Sequence, residues 1–410
     1  MIQACRKLQV IFLLVMTGFP GFAQLKETTE ITRRVANYIV KNTSYRFIDV
    51  KTKVDYTSLE GLAENADVKA QSIYNKWEYS NGVMAIGMME LTKTLNDSDY
   101  HHYVRKNFEF VFNHLSFFEK QYLVNPKTEF YNLIRMNRLD DMGALSAALT
   151  RFNDNNTLFS SYLNKSINYI TKTQLRLRDG TLCRPEPRSM TLWADDLYMS
   201  VPFLSSYGKI NNARKYTDDA IRQVLNFNKY LFNAATGLYY HNWYSAEQSN
   251  GVAHWLRCNG WIAMAQVELL SQLDSTHPKR IELIGLLQRQ IIGFARFQDT
   301  TGLWRQLIDK PDSYLETSGS AMFIYTVAKA VNEGWLPTSY LAIAEDGWKG
   351  LMKKVTTEGQ LMDVCIGTGM RENLKFYYDR PTKLNDIHGA GAFLLAGSEM
   401  IKAYRRRSNN

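Results

Sequence analysis

The chain has 410 residues, enough for a large core, and is 45% hydrophobic and 22% charged, a globular composition. Five of the charges behind its formal +9 sit near the two ends, at Arg6, Lys7, Arg405, Arg406 and Arg407, so the body carries a mild positive bias. That bias suits a small acidic substrate and excludes a nucleic-acid-binding stripe. Cys183, Cys258 and Cys365 stand far apart, which excludes a disulfide framework, and the seven His show no paired ligand spacing. Neither a catalytic metal nor a cofactor is expected.

Taken in order, residues 1–23 read as a secretory signal. Arg6 and Lys7 are its basic start, Leu8 to Met16 its apolar run, Pro20 the breaker, and Gly21 and Ala23 the small residues before Gln24. The run is too short to span a bilayer. The mature chain, 24–410, is therefore expected to be exported, periplasmic or secreted, as a single domain with a short basic tail. Helical spacing follows almost throughout. Apolar residues recur at 3- and 4-residue intervals over 32–41, 70–95, 100–120, 141–153, 158–174, 195–207, 211–233, 261–273, 280–295, 318–333, 337–354 and 389–404.

A turn recurs within this pattern. Asp179-Gly180-Thr181-Leu182, Thr236-Gly237-Leu238-Tyr239, Thr301-Gly302-Leu303-Trp304 and Glu358-Gly359-Gln360-Leu361 lie 57 to 65 residues apart, with a fainter copy at Thr128-Glu129-Phe130-Tyr131. Each period holds about two helices, and a repeat of this length signals a stacked or closed array. About six such units fit the chain. The expected fold is all-α: six helical hairpins in a double-layered toroid, the (α/α)6 barrel, with an open superhelix as the alternative. The turns then gather at one mouth.

Residues with chemistry collect at that mouth. Trp77-Glu78-Tyr79 opens an aromatic turn. Asp140-Asp141 and Asp195-Asp196 are paired carboxylates where apolar helices begin, and Trp193, Leu197, Tyr198 and Met199 surround the second pair. A carboxyl among apolar groups and beside another carboxylate has its charged form disfavoured, so it can deliver a proton near neutral pH. The plainer account is two acids in a first helical turn, capped by Ser189 or Thr191. His241 lies in an aromatic run after the Gly237 turn. Trp255, Arg257 and Trp261 surround an Asn259-Gly260 turn, with Trp261 opening the next helix. An arginine fork suits a carboxylate and tryptophan suits a sugar face. Glu316 is a second acid or an orienting group, and the glycines after His388 allow a close backbone approach.

Four motifs in this order carry a resemblance: Trp193-Ala-Asp195-Asp-Leu-Tyr-Met199, Trp255-Leu-Arg257-Cys-Asn259-Gly260-Trp261, Pro311-Asp-Ser-Tyr-Leu-Glu316-Thr-Ser318 and His388-Gly-Ala-Gly391. Together they resemble glycoside hydrolase family 105, the unsaturated rhamnogalacturonyl and related uronyl hydrolases, from about residue 70 to 402. The resemblance implies an (α/α)6 barrel. It implies removal of a 4,5-unsaturated uronic acid from the non-reducing end of lyase-generated oligosaccharides, by protonation at C4 and addition of water at C5. Asp195 then matches the catalytic acid and Asp141 the second carboxylate, while His241, Trp255 and Arg257 match cleft positions. Trp261, Trp193, Tyr79 and His388 complete the expected substrate-binding set. Cys258 departs from the family's usual Gly. The alternatives are another (α/α)6 carbohydrate enzyme, either a two-carboxylate glycosidase on saturated sugars or a sugar epimerase, and a non-catalytic sugar-binding protein.

Overall fold

All four repeat glycines take the left-handed backbone conformation: φ is +85° at Gly180, +75° at Gly237, +85° at Gly302 and +101° at Gly359. Each turn also docks on an outer helix, where a side chain at the glycine would meet it. A Cβ at Gly237 would lie 2.6 Å from the Gly293 Cα, and one at Gly302 would collide with the Asp346 carbonyl oxygen. Gly302→Ala is therefore expected to destabilise the fold by about 1–3 kcal/mol through the backbone conformation alone, with the Asp346 clash added. An unchanged denaturation midpoint would contradict this docking.

The computed structural model of the protein describes residues 20–409. The expected leader falls largely on residues 1–19, outside them. In chain order the helices are α1 (Pro20–Lys41), α2 (Tyr79–Leu95), α3 (Asp99–Asn113), α4 (Leu115–Val124), α5 (Tyr131–Arg135), α6 (Gly143–Phe152), α7 (Thr157–Asn168), α8 (Val201–Ile210), α9 (Arg214–Leu231), α10 (Leu256–Gln272), α11 (Arg280–Ala295), α12 (Thr317–Asn332), α13 (Leu341–Met352), α14 (Leu374–Tyr378) and α15 (Ile387–Asn409). Helices α2, α6, α8, α10, α12 and α15 each pack on the next, and α15 returns to α2, closing a ring. Outside it, α3, α7, α9, α11 and α13 each back onto the ring helix that precedes them, and α1 backs onto α15. This is the (α/α)6 barrel, with its sixth hairpin made from the two ends of the chain. None of the described helices is long and apolar enough to cross a membrane.

Layer and sequence agree. Ring helix α10 buries 15 of its 17 residues, Arg257, Asn259, Gln266 and Glu268 among them, while outer α9 buries 7 of 18 along one stripe. Of the glycines after His388, Gly391 serves ring packing: a Cβ there would lie 2.6 Å from the Met84 nitrogen, so α15 and α2 meet backbone to backbone.

Short strands line the mouth. Strands β1 (Phe47–Asp49), β2 (Asp55–Tyr56) and β3 (Val68–Ala70) form one sheet, and β4 (Thr191–Trp193) joins another. Beyond them, β5 (Phe232–Asn233) pairs with β6 (Leu238–Tyr239), and β7 (Asn242–Tyr244) pairs with both β4 and β8 (Ser249–Asn250). Later, β9 (Trp304–Arg305) pairs with β10 (Leu315–Glu316), and β11 (Val364–Cys365) with β12 (Thr382–Lys383).

Several boundaries differ from the periodicity. The helix expected over 70–95 starts only at Tyr79. Ser72 accepts from the Tyr74 N–H, and the Asn81 amide holds the Ile73 and Lys76 carbonyls (both 2.9 Å), bending the chain first. The run 100–120 breaks at His114 into α3 and α4. Asn259-Gly260 is not a turn: α10 begins at Leu256, ahead of Trp261. The Asn259 side chain accepts from the Tyr239 N–H (2.7 Å) and donates to its carbonyl (2.8 Å), while Gly260 makes room for Met322. Thr191 caps no helix either, since it lies in β4.

Candidate active site

The β4–β7 ladder builds the centre of the mouth. Trp193 pairs with Asn242, and the Ala194 N–H donates to the His241 carbonyl (2.8 Å). One residue further, on a 3-10 turn spanning Ala194–Leu197, Asp195 faces the His241 ring: Nε2 is 3.1 Å from Oδ2. The other ring nitrogen, Nδ1, lies 2.8 Å from the Tyr377 hydroxyl on α14. A carboxylate only accepts, so Nε2 carries a hydrogen toward Asp195, and Nδ1 shares a hydrogen with the Tyr377 hydroxyl. His241 is fully buried, whereas the Asp195 side chain keeps 15% of its surface exposed.

The two adjacent acids have opposite electrostatics. Burial pushes the Asp195 carboxyl up, but the charge and hydrogen bond of His241, with Arg184 behind them, outweigh it and hold Asp195 below the ordinary value. Asp196 is pushed up to about 6, first by burial and then by Asp140 and Asp195, against the pull of Arg184. The raised carboxyl of the pair is thus the wholly buried Asp196. Arg184 grips it through Nε (2.9 and 3.1 Å) and Nη2 (2.7 Å), and Nη2 also reaches Asp140 at 3.0 Å. The same guanidinium lies 4.2 Å from the Trp193 ring centroid.

Asp141 has both oxygens occupied, by Arg135 (2.6 and 3.2 Å) and by the Asn137 N–H (3.0 Å). Its neighbour Asp140 is the one joined to the Asp195–Asp196 side through Arg184. Trp255 and Trp261 are buried: Trp255 packs on His241 (4.9 Å between ring centroids), and Trp261 on Tyr198 (4.8 Å) and Tyr79 (6.2 Å). Both form the wall beneath the cleft rather than an open platform. Arg257 is buried over Trp255 (4.8 Å) and donates to the carbonyls of Cys365 (2.6 Å) and Ile366 (2.7 Å) and to Ser318 (3.2 Å). Glu316 is an orienting group. It accepts from the Ser318, Gly319 and Cys365 N–H groups and so caps α12 and ties β11 to it. Cys258 is buried with its thiol on the Trp255 carbonyl (3.0 Å), so its side chain does not line the cleft. Across the mouth, the Tyr79 hydroxyl meets His388 Nε2 at 2.7 Å, and His388 Nδ1 meets Asp386. A cavity of about 350 Å³ opens beside Trp193 and Asp196, walled by Arg138, Gln174 and Pro185.

Sequence reasoning missed Tyr377 and Arg184. Arg184 sat in a Pro-dense loop with no periodic signal. Tyr377 lay in the aromatic run 376–378, whose clustering was the one available hint.

The family model described as Glycosyl Hydrolase Family 88 matches residues 57–404. The unsaturated rhamnogalacturonyl hydrolase YesR of Bacillus subtilis is 32% identical over 217 residues, 52% of this chain and 61% of that protein. An unsaturated 3S-rhamnoglycuronyl hydrolase of Alteromonas sp. is 29% identical over 218 residues, 51% of each. The matches thus span only about half to three fifths of these relatives' length. A crystal structure described as a possible member of the GH105 family, from Salmonella enterica serovar Paratyphi A, superposes with a TM-score of 0.75 at 24% identity. It covers 97% of this chain and 100% of that one, which establishes the shared fold.

Proposed function

The chain belongs to glycosyl hydrolase family 88, and from that premise we propose that it removes a 4,5-unsaturated uronic acid from the non-reducing end of lyase-generated oligosaccharides. One observation carries this reading: of Asp140, Asp141, Asp195 and Asp196, only Asp195 has no arginine ion pair among the described residues. Asp140 and Asp196 are held by Arg184, and Asp141 by Arg135. A two-carboxylate glycosidase needs a second free carboxyl about 5–9.5 Å away. Protonating an enol ether at C4 and adding water at C5 needs one acid, which gives its proton to carbon and then takes one from water. Asp195 fills that role. His241 and Tyr377 fix its orientation.

Asp195 rests ionised near neutral pH, so the proton must arrive with the substrate. A uronate carboxylate entering beside it, and the water it displaces, both disfavour the charged form and raise the pKa. The sign of the His241 effect follows. His241 lowers the Asp195 pKa, so His241→Asn raises it, and the alkaline limb of the kcat profile is expected to move to higher pH even as the maximum falls. A limb that stays in place or moves down would show that the rate does not follow the Asp195 proton.

The leader-like residues 1–23 put the work outside the cytoplasm, in periplasm or medium, and the substrate is the only partner invoked. One named relative is an unsaturated rhamnogalacturonyl hydrolase and the other an unsaturated 3S-rhamnoglycuronyl hydrolase, so rhamnose-containing substrates come first. The test is the ultraviolet absorbance of the conjugated double bond during incubation with unsaturated disaccharides from several lyases. It is expected to fall. A flat signal on every substrate with folded protein overturns the reading in favour of another (α/α)6 carbohydrate enzyme, which would release sugar from saturated uronides instead.

A further inference from the structure

The Tyr79–His388–Asp386 chain has no role in the protonation step. Tyr79 is the first residue of α2, and His388 and Asp386 stand at the start of α15, so the close α2–α15 packing brings them together. Asp386 accepts the His388 N–H (3.2 Å) as well as lying against Nδ1. The acceptor-only carboxylate puts the ring hydrogen on Nδ1. Nε2 is then a lone pair, and the Tyr79 hydroxyl donates to it. Burial, then the charge of Arg257, holds the imidazole below its ordinary value, so it rests neutral. Burial pushes Asp386 up, but the hydrogen bonds from the His388 ring and backbone, with the charge of Arg257, pull it down, so it rests ionised. A neutral imidazole oriented by a carboxylate, with a phenol on its lone pair, is a base with one proton in transit.

Tyr79 is joined to the Asp195 stretch through Trp261. Its ring meets Trp261 at 6.2 Å, Tyr198 of the Asp195 stretch meets the same indole at 4.8 Å, and the charges of Arg257, Asp140 and Asp195 all act on the phenol.

We propose that Asp386, His388 and Tyr79 form a second proton relay that drives the ring-opening half of the reaction, after Asp195 has driven hydration. This rests on the function proposed above. Hydration leaves a C5 hydroxyl on the ring and a reprotonated Asp195. The Tyr79 oxygen takes the C5 hydroxyl proton while its own passes to His388 Nε2. The C5–O electron pair closes to a ketone, the bond from C5 to the ring oxygen breaks, and that oxygen takes the Asp195 proton. C1 now carries a hydroxyl and the aglycone. Its hydroxyl proton returns to Asp195 as the aldehyde forms, and the imidazolium returns its proton through Tyr79 to the departing aglycone oxygen. Both relays are reset and the protons balance. Tyr79 is the catalytic residue of this half; His388 and Asp386 act through it, positioning it and holding its proton.

The two halves have separate readouts: double-bond absorbance reports hydration, and free reducing sugar reports opening and departure. In the wild type the two are expected to run together. In Tyr79→Phe, and in His388→Gln where the phenol stays in place, absorbance is expected to drop in a burst of about one equivalent per active site. Sugar release should then be slower by about 10²-fold or more. Asp386→Asn should give the same uncoupling more weakly. A parallel slowing of both signals without a burst, or no slowing at all, overturns the relay and leaves these residues as binding groups. A wild-type protein that never consumes the double bond overturns the reaction itself, and the relay with it.

Discussion

Asp195→Asn is expected to lower turnover by about 10²–10⁴-fold, the usual contribution of a positioned general acid–base, with little change in substrate affinity. The amide keeps the volume of the carboxyl and can still accept from His241 Nε2, 3.1 Å away in the parent. What it lacks is a transferable proton. The loss therefore falls on kcat, and a dead variant should still bind an unsaturated disaccharide in calorimetry at near wild-type affinity. Unlike Tyr79→Phe, it should show no burst, because hydration itself is blocked. A variant keeping more than about a tenth of the rate would remove Asp195 from the chemistry.

Arg184→Leu is the largest expected loss of stability. Among the described residues the guanidinium is the only cation on the fully buried Asp196, and it also holds Asp140. Removing one partner of a buried ion pair costs about 3–5 kcal/mol, because the other charge is left without water or partner. The pH dependence has a definite sign. Asp196 already sits at about 6 with Arg184 present, and without the arginine its folded-state pKa rises further, away from about 3.9 in the unfolded chain. A carboxyl raised in the folded state costs nothing below the unfolded pKa and progressively more as pH climbs toward the folded one. The deficit should thus be smallest near pH 4 and largest at neutral pH, measured by equilibrium denaturation across that range. Arg184→Leu combined with Asp196→Asn should recover much of it. A deficit that is flat with pH would assign the loss to packing against Trp193.

The fold was legible because it repeats. A Gly that must take positive φ and meet an outer helix leaves a fixed mark in sequence, and four such marks gave the period. The periodicity could not show where helices begin when side chains, not apolar spacing, decide the start: the Asn81 amide delays α2, and Asn259 draws what looked like a turn into α10. The site was legible in part. Asp195, His241, Tyr79 and His388 stand beside repeat turns or ring-helix starts and meet at the mouth. Arg184 comes from a loop and Tyr377 from the short helix α14, and only the closed ring defines their positions. Their roles rest on contacts such as His241 with Tyr377, 136 residues apart, which no local pattern records. The character of the two acids was hidden for the same reason, since partners distant in sequence separate them.

The seam between α1 and α15 sets the order in which the molecule can assemble. Five of the hairpins join neighbouring segments, so each can collapse on its own as soon as it exists. The sixth brings Thr32 against Gly397, and closing so large a loop costs entropy that no local contact recovers beforehand. Until α15 docks, α2 lacks its neighbour on one side and the Tyr79–His388 contact does not exist. Without α15 the ring is an open arc, so ring closure and completion of the proton relay are one event.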